Sequence, residues 1–96
     1  MESYRDGKIC DSSGRELGRL RDNTIRDSDG HTLGQTQDDS IKDDRGHKVG
    51  TVSNGNVRNE RGHDMGKAGK YAIKGMEREK DVNIVAAYHF LIKKFL

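Results

Sequence analysis

The hydrophobic positions of this chain recur with a period of 16 residues over most of its length. One apolar, β-branched residue marks each repeat without a slip: Ile9, Ile25, Ile41, Val57 and Ile73. Two columns of glycine keep the same phase, the first at Gly14, Gly30, Gly46 and Gly62, and the second at Gly18, Gly34, Gly50 and Gly66. A strict short period indicates a repeat architecture, in which each unit packs against its neighbours.

Each repeat is predicted to form a β-hairpin. In one unit, Ile25 begins a short strand, Asp27 caps a tight turn with its side chain, and Gly30 supplies the positive φ of that turn. A second short strand, 31–33, then ends at Gly34. Turn-forming dipeptides at a constant phase lead into the next unit: Asp6-Gly7, Asp22-Asn23, Asp38-Asp39 and Asn54-Gly55.

The repeats predict a mainly β fold, with five tandem hairpin units arranged around an axis. The units lie near residues 2–17, 18–33, 34–49, 50–65 and 66–81. One such hairpin is unstable in water, so the copies must share a core. The fifth copy is degenerate, because Arg78 and Val82 replace its two glycines. Whether the five units close a ring within one chain, and the oligomeric state, are left open.

The chain changes character at Asp81, a suitable N-cap for a helix. From residue 82 to 96, apolar residues at helical spacing form a broad stripe, with four polar residues opposite: Asn83, His89, Lys93 and Lys94. We expect an amphipathic C-terminal α-helix within the same domain, covering the apolar end of the repeats as a lid. At about 15 residues it is too short to span a membrane. Phe90 falls near its polar side, so the helix is a candidate surface for self-association or a protein partner.

The repeated unit resembles that of a known family. Units such as residues 25–34, Ile-Arg-Asp-Ser-Asp-Gly-His-Thr-Leu-Gly, followed by a C-terminal helix, resemble the 5-fold beta-flower proteins of Bacteroidetes-type bacteria. The resemblance extends over residues 4–96. It implies a bacterial protein with five short β-hairpins around an axis, and no established activity. Relatives are often exported, whereas residues 1–6 lack the apolar segment of a secretory signal, so no compartment is predicted.

Composition narrows the possible functions. A chain of 96 residues, 35% of them charged, has room for one small core, which disfavours a deep catalytic cleft. The net charge is +2, and its surplus comes from Lys93 and Lys94, so the charge does not predict a nucleic-acid interface. The single Cys10 excludes an internal disulfide framework and fits no cysteine-rich zinc motif.

The sequence contains no catalytic motif, so we predict no catalytic residues, no cofactor and no enzyme activity. Two repeated columns are nevertheless candidate binding sites. Histidines fill the first, His31, His47 and His63, and could share a metal ion. Cations fill the second, Arg26, Lys42, Arg58 and Lys74, and could bind an anion. In both cases solvated residues on exposed strands are the simpler interpretation.

Calcium binding is disfavoured as well. Residues 27–30 and 43–46 resemble part of a calcium loop, but further oxygen ligands and a closing Glu are missing. The sequence therefore predicts a non-enzymatic structural or interaction module. The alternative is a small-ligand or metal-binding module that uses one of the two columns.

Overall fold

The structure, a computed structural model, describes residues 2–96. Nine strands form one antiparallel sheet in chain order: β1 Ser3–Arg5, β2 Lys8–Cys10, β3 Glu16–Arg21, β4 Thr24–Asp27, β5 Thr32–Gln37, β6 Ser40–Asp43, β7 Lys48–Ser53, β8 Asn56–Asn59 and β9 Asp64–Lys67. A 3-10 turn, Ala68–Tyr71, follows β9. Helix α1, Asp81–Ala87, continues into a π-helical turn, Tyr88–Ile92.

Two kinds of turn alternate along the sheet, as the sequence predicts. The two-residue turns begin at Asp6, Asp22, Asp38 and Asn54, all with φ of 52–53°, a conformation that Asp and Asn tolerate better than most residues. In the longer loops an Asp or Asn side chain caps the turn. The Asp27 carboxylate accepts hydrogen bonds from the N–H groups of Asp29 and His31, both at 2.9 Å. Gly30 supplies a φ of 90°, and a bulge follows each such loop.

The second strand of each unit is longer than predicted. Gly18, Gly34 and Gly50 lie within β3, β5 and β7 and pair with the neighbouring strands, so the expected strand end at Gly34 is wrong. Strands β3, β5 and β7 continue far enough to bury a further column at Leu20, Thr36 and Val52, and Ala68 of the 3-10 turn occupies the equivalent position in the next unit. The 16-residue pattern does not reveal this column, because the polar Thr36 interrupts its apolar residues.

The C-terminal helix lies inside the curve of the sheet. It packs against β5, β6, β7 and the 3-10 turn, and Val85, Ala86 and Ala87 are fully buried. Asn83 and His89, expected on an exposed face, are only 4% and 7% exposed. The amphipathic assignment is therefore wrong for these two residues, because the helix is surrounded by other elements.

The helix is also shorter than the predicted range of 82–96. The N-cap is Lys80, not Asp81 as predicted: Lys80 is extended, and Asp81 is the first residue of the helix. The π-helical turn ends at Ile92, and Lys93 is extended, with φ of −155°. Asn83 fixes the position of the helix: its Oδ1 accepts a hydrogen bond from the Thr36 hydroxyl at 2.5 Å, and its Nδ2 donates to Oδ1 of Asn23 at 3.0 Å.

The inner face of the sheet carries the five residues of the 16-residue period, each at most 4% exposed: Ile9, Ile25, Ile41, Val57 and Ile73. The fifth unit, however, is not a complete hairpin. The 3-10 turn replaces its two-residue turn, and a single parallel bridge joins Lys74 to Ser3. The N–H of Tyr4 donates to the Lys74 carbonyl at 2.7 Å. The units thus surround an axis, but the sheet does not close as a continuous ladder.

Candidate functional site

The three histidines of the repeat column lie just after the Asp- or Asn-capped loops, and all are exposed. His31 Nδ1 is 3.4 Å from Oδ2 of Asp27, and His47 Nδ1 is 3.9 Å from Oδ2 of Asp43. Among residues 2–96, the only set of three His, Cys, Asp or Glu side chains with ligand atoms within 4.8 Å is Asp27, Asp29 and His31. The structure therefore does not bring His31, His47 and His63 together.

Three aspartates at equivalent positions of the first three units, Asp11, Asp27 and Asp43, cap the longer loops of those units. A backbone hydrogen bond from His31 holds the pKa of Asp27 below its usual value, and the corresponding bond from His47 lowers the pKa of Asp43. For Asp11, the hydroxyl of Ser13 is the main cause of a lowered pKa. These carboxylates are ionised and accept hydrogen bonds from backbone N–H groups. Capping of the loops therefore explains why Asp recurs at this position, and no bound cation is needed to explain it.

The cations of the second column lie on the outer face of the sheet. Arg26, Lys42 and Arg58 lie on β4, β6 and β8, and one strand separates each from the next, so their backbones are about 10 Å apart. Lys74 lies at the single bridge to Ser3. The column is therefore spread around the outer face and does not converge on one point.

Pairing between neighbouring strands brings other cations closer together than those of the second column. Arg5 lies opposite Lys8, Lys8 opposite Arg19, and Arg19 opposite Arg26, which gives one continuous row across β1–β4. Beside this row is a crevice of about 140 Å³, lined by Asp6, Gly7, Lys8, Arg19, Arg21, Arg26 and Gly30. The row is not visible in the repeat columns of the sequence, because its members are not 16 residues apart along the chain. The two-residue turn at Asp6-Gly7 was the available signal, since it sets Arg5 opposite Lys8.

His89, which the sequence places on the polar side of the helix, is a buried histidine outside the repeats. His89 Nδ1 accepts hydrogen bonds from the N–H groups of Phe95 at 3.1 Å and Leu96 at 3.2 Å. Burial first, and the charge of Lys94 second, lower the pKa of His89 to about 4. The neutral ring therefore holds the last residues in a bend back toward the sheet, where Phe95 stacks on Tyr71 with ring centroids 4.2 Å apart.

The buried imidazole predicts that stability depends on pH below neutrality. The unfolded chain binds a proton near the ordinary His pKa of 6.5, whereas folding lowers the pKa of His89 to about 4. Its stabilising contribution is therefore complete above pH 6.5 and is lost as the pH falls toward 4. The loss amounts to at most about 3 kcal/mol, from 1.36 kcal/mol per pKa unit. Urea unfolding between pH 4 and 7 measures it.

The control for this measurement is His89→Asn, which keeps the exposed histidines and removes the buried one. The variant is expected to be less stable at pH 7 but to lose less stability between pH 6.5 and 4 than the unaltered protein. Equal pH dependence in the two proteins would contradict the assignment to His89.

Comparison with known proteins identifies a family that matches most of the chain. Residues 1–91 match the family model described as 5-fold beta-flower protein. The match covers nearly the same residues as the resemblance noted from the repeats. Searches of the curated proteins and of the solved structures gave no match. Among residues 2–96, no helix has the length and apolar character needed to cross a membrane.

Proposed function

Because the chain belongs to the 5-fold beta-flower family, we propose that it is a non-enzymatic structural module that binds partners through the outer face of its sheet and its loops. The family and the fold support a small structural module. The observation that carries the proposal is the occupation of the inner face by the protein's own C-terminal segment, residues 81–96.

This occupation is visible at the second glycine column. A methyl group at Gly34 would overlap the Phe90 ring, and one at Gly18 would lie 2.5 Å from Cδ2 of Leu91. At Gly50, the same test gives 3.0 Å to Cδ1 of Leu96. A ligand on the inner face would have to displace these side chains, so we assign binding to the outer surface.

The same contacts change the interpretation of Phe90. The sequence suggested an exposed aromatic ring that could serve self-association, but the ring is half-buried against Gly34. Docking through the C-terminal segment would require this contact to open. The outer face needs no such opening, because its side chains are already exposed or half-buried on β3 to β8. This supports the outer face as the binding surface.

Native mass spectrometry of protein purified without chelator tests the proposal. We expect a mass of 10.8 kDa with no retained metal ion or organic cofactor, because the core is filled by the chain's own side chains. A stoichiometric metal ion or cofactor in the spectrum would contradict a non-enzymatic structural module. Denaturing the same sample gives the reference mass of the bare chain.

A further inference from the structure

We propose that the crevice between the first two repeat units, lined by Lys8, Arg19, Arg21 and Arg26, is a binding site for a soluble phosphate or sulfate ester. The inference deepens the proposed function, because it names a ligand class for one part of the outer face. It rests on the cross-strand register, on the crevice itself and on a comparison with the equivalent rows of the other units.

The register forces like charges together. Residues directly opposite on neighbouring antiparallel strands have Cβ atoms about 5 Å apart, and like charges there are unfavourable. Arg5, Lys8, Arg19 and Arg26 occupy four such positions in succession. An oxyanion placed among them relieves this repulsion and accepts charge-assisted hydrogen bonds from Arg and Lys.

The other units show that the fold does not require cations at these positions. The equivalent row of the third unit is Gln37, Ser40, Thr51 and Arg58, paired in the same register. The second row carries two cations among its four residues: Arg21, Thr24, Gln35 and Lys42. Only the first row is cationic throughout, so its charge is a feature of this site and not of the repeat.

The charge of the crevice is incompletely neutralised from within. Glu16 pairs with Arg19 at 3.1 Å, and Asp6 lies 4.0 Å from Arg5. Within residues 2–96, Lys8, Arg21 and Arg26 have no carboxylate within 4.0 Å. The crevice and the adjoining row together have a net charge of +3, which exceeds the +2 of the whole chain. The residues counted are Arg5, Lys8, Arg19, Arg21 and Arg26, with Asp6 and Glu16.

The shape of the crevice favours a small group. Its volume of about 140 Å³ is well above the roughly 10–15 Å³ that one water molecule needs in a cavity, so a phosphate or pyrophosphate group fits. Gly7 and Gly30 form part of its wall, where no side chain narrows the crevice. The site therefore has room for the ester group of a small molecule.

Titration of isotope-labelled protein with inorganic pyrophosphate, followed by amide NMR in low-salt buffer, tests the site. We expect saturable shifts at the Gly7 and Gly30 amides, weakening as salt is added because exposed charges are screened. Gly46 and Gly62, in the equivalent loops of later units, serve as internal references. No saturable shift, or equal shifts at Gly46 and Gly62, would overturn the proposal.

Matched variants separate a defined site from general charge attraction. Lys8→Ser with Arg19→Thr introduces the residues of the third unit, and we expect binding to weaken by about tenfold or more without loss of the folded spectrum. The control, Arg58→Gln with Lys67→Gln, also removes two charges and should bind as the unaltered protein does. Equal weakening in both pairs would overturn the site. If the first pair fails to fold, Arg26→Gln provides the same test.

Two further titrations distinguish the source of the anion. Inorganic sulfate should compete with pyrophosphate for the same amides, as expected for a site that recognises tetrahedral oxyanions. Vesicles containing phosphatidic acid should not bind more tightly than pyrophosphate, and a preference for them would overturn the assignment to a soluble ester. Failure here leaves the structural module intact, whereas a cofactor in the native mass spectrum would contradict the module without affecting these titrations.

Discussion

A chain ending at Lys80 is expected not to fold. Removing residues 81–96 uncovers the inner face of the sheet, including the buried column of Ile9, Ile25, Ile41, Val57 and Ile73. Exposing one such side chain costs about 1.5–3 kcal/mol, so losing the cover of several costs as much as the entire stability of a small domain, about 5–15 kcal/mol. Circular dichroism during heating should show no cooperative transition.

The control for the truncation keeps the full length and changes only exposed residues of the same segment. Lys93→Ala with Lys94→Ala alters two exposed side chains and should unfold cooperatively, close to the unaltered protein. A cooperative transition in residues 1–80 would mean that the repeats form their core without the helix. The C-terminal segment would then not be part of the core, which would contradict its role in stabilising the repeats.

Gly34→Ala is expected to destabilise the protein by about 3 kcal/mol, at the upper end of the range for overpacking. The added methyl group would overlap the Phe90 ring and would lie 2.5 Å from the carbonyl oxygen of Lys42. The ring can move, but the carbonyl belongs to the paired strand β6, so the sheet itself must shift. In a domain of this size the melting temperature should fall by more than about 10 °C.

Gly69→Ala is the matched control. Gly69 lies in the 3-10 turn, has no positive φ, and its added methyl group would meet no atom within 4 Å. We expect its melting temperature to stay the same or to rise slightly, since alanine restricts the unfolded chain more than glycine does. Equal losses for Gly34→Ala and Gly69→Ala would contradict the packing of Phe90 against bare backbone.

Most of the fold follows from the sequence, because the same local pattern of turn and strand residues occurs in four successive copies. Asp27 and Gly30 define a capped turn, and Ile25 defines the inward face, so the hairpins are predictable from physical chemistry alone. The helix was harder to interpret. Asn83 and His89 are polar, and polarity usually indicates an exposed face, yet both are buried with partners for their polar atoms.

The candidate site was less predictable, because it depends on register. Columns of equivalent residues suggested rings of His31, His47 and His63, or of Arg26, Lys42, Arg58 and Lys74, as sites. In the structure, equivalent residues of successive units are separated by an intervening strand, while residues opposite one another come from different columns. Lys8 and Arg19 are thus brought together by pairing between β2 and β3, which the period of 16 does not reveal.

Amide hydrogen exchange of the full chain tests the central claim, that residues 81–96 form the inner core of the repeats. The amides of Val85, Ala86 and Ala87 should exchange as slowly as those of Leu20 and Val52, because one cooperative unfolding exposes them all. Leu20 and Val52 are buried, and their N–H groups donate to the carbonyl oxygens of the turn residues Gly7 and Asp39. Exchange of the helix at least about 100-fold faster than the strands would show that it opens separately, and would contradict the claim.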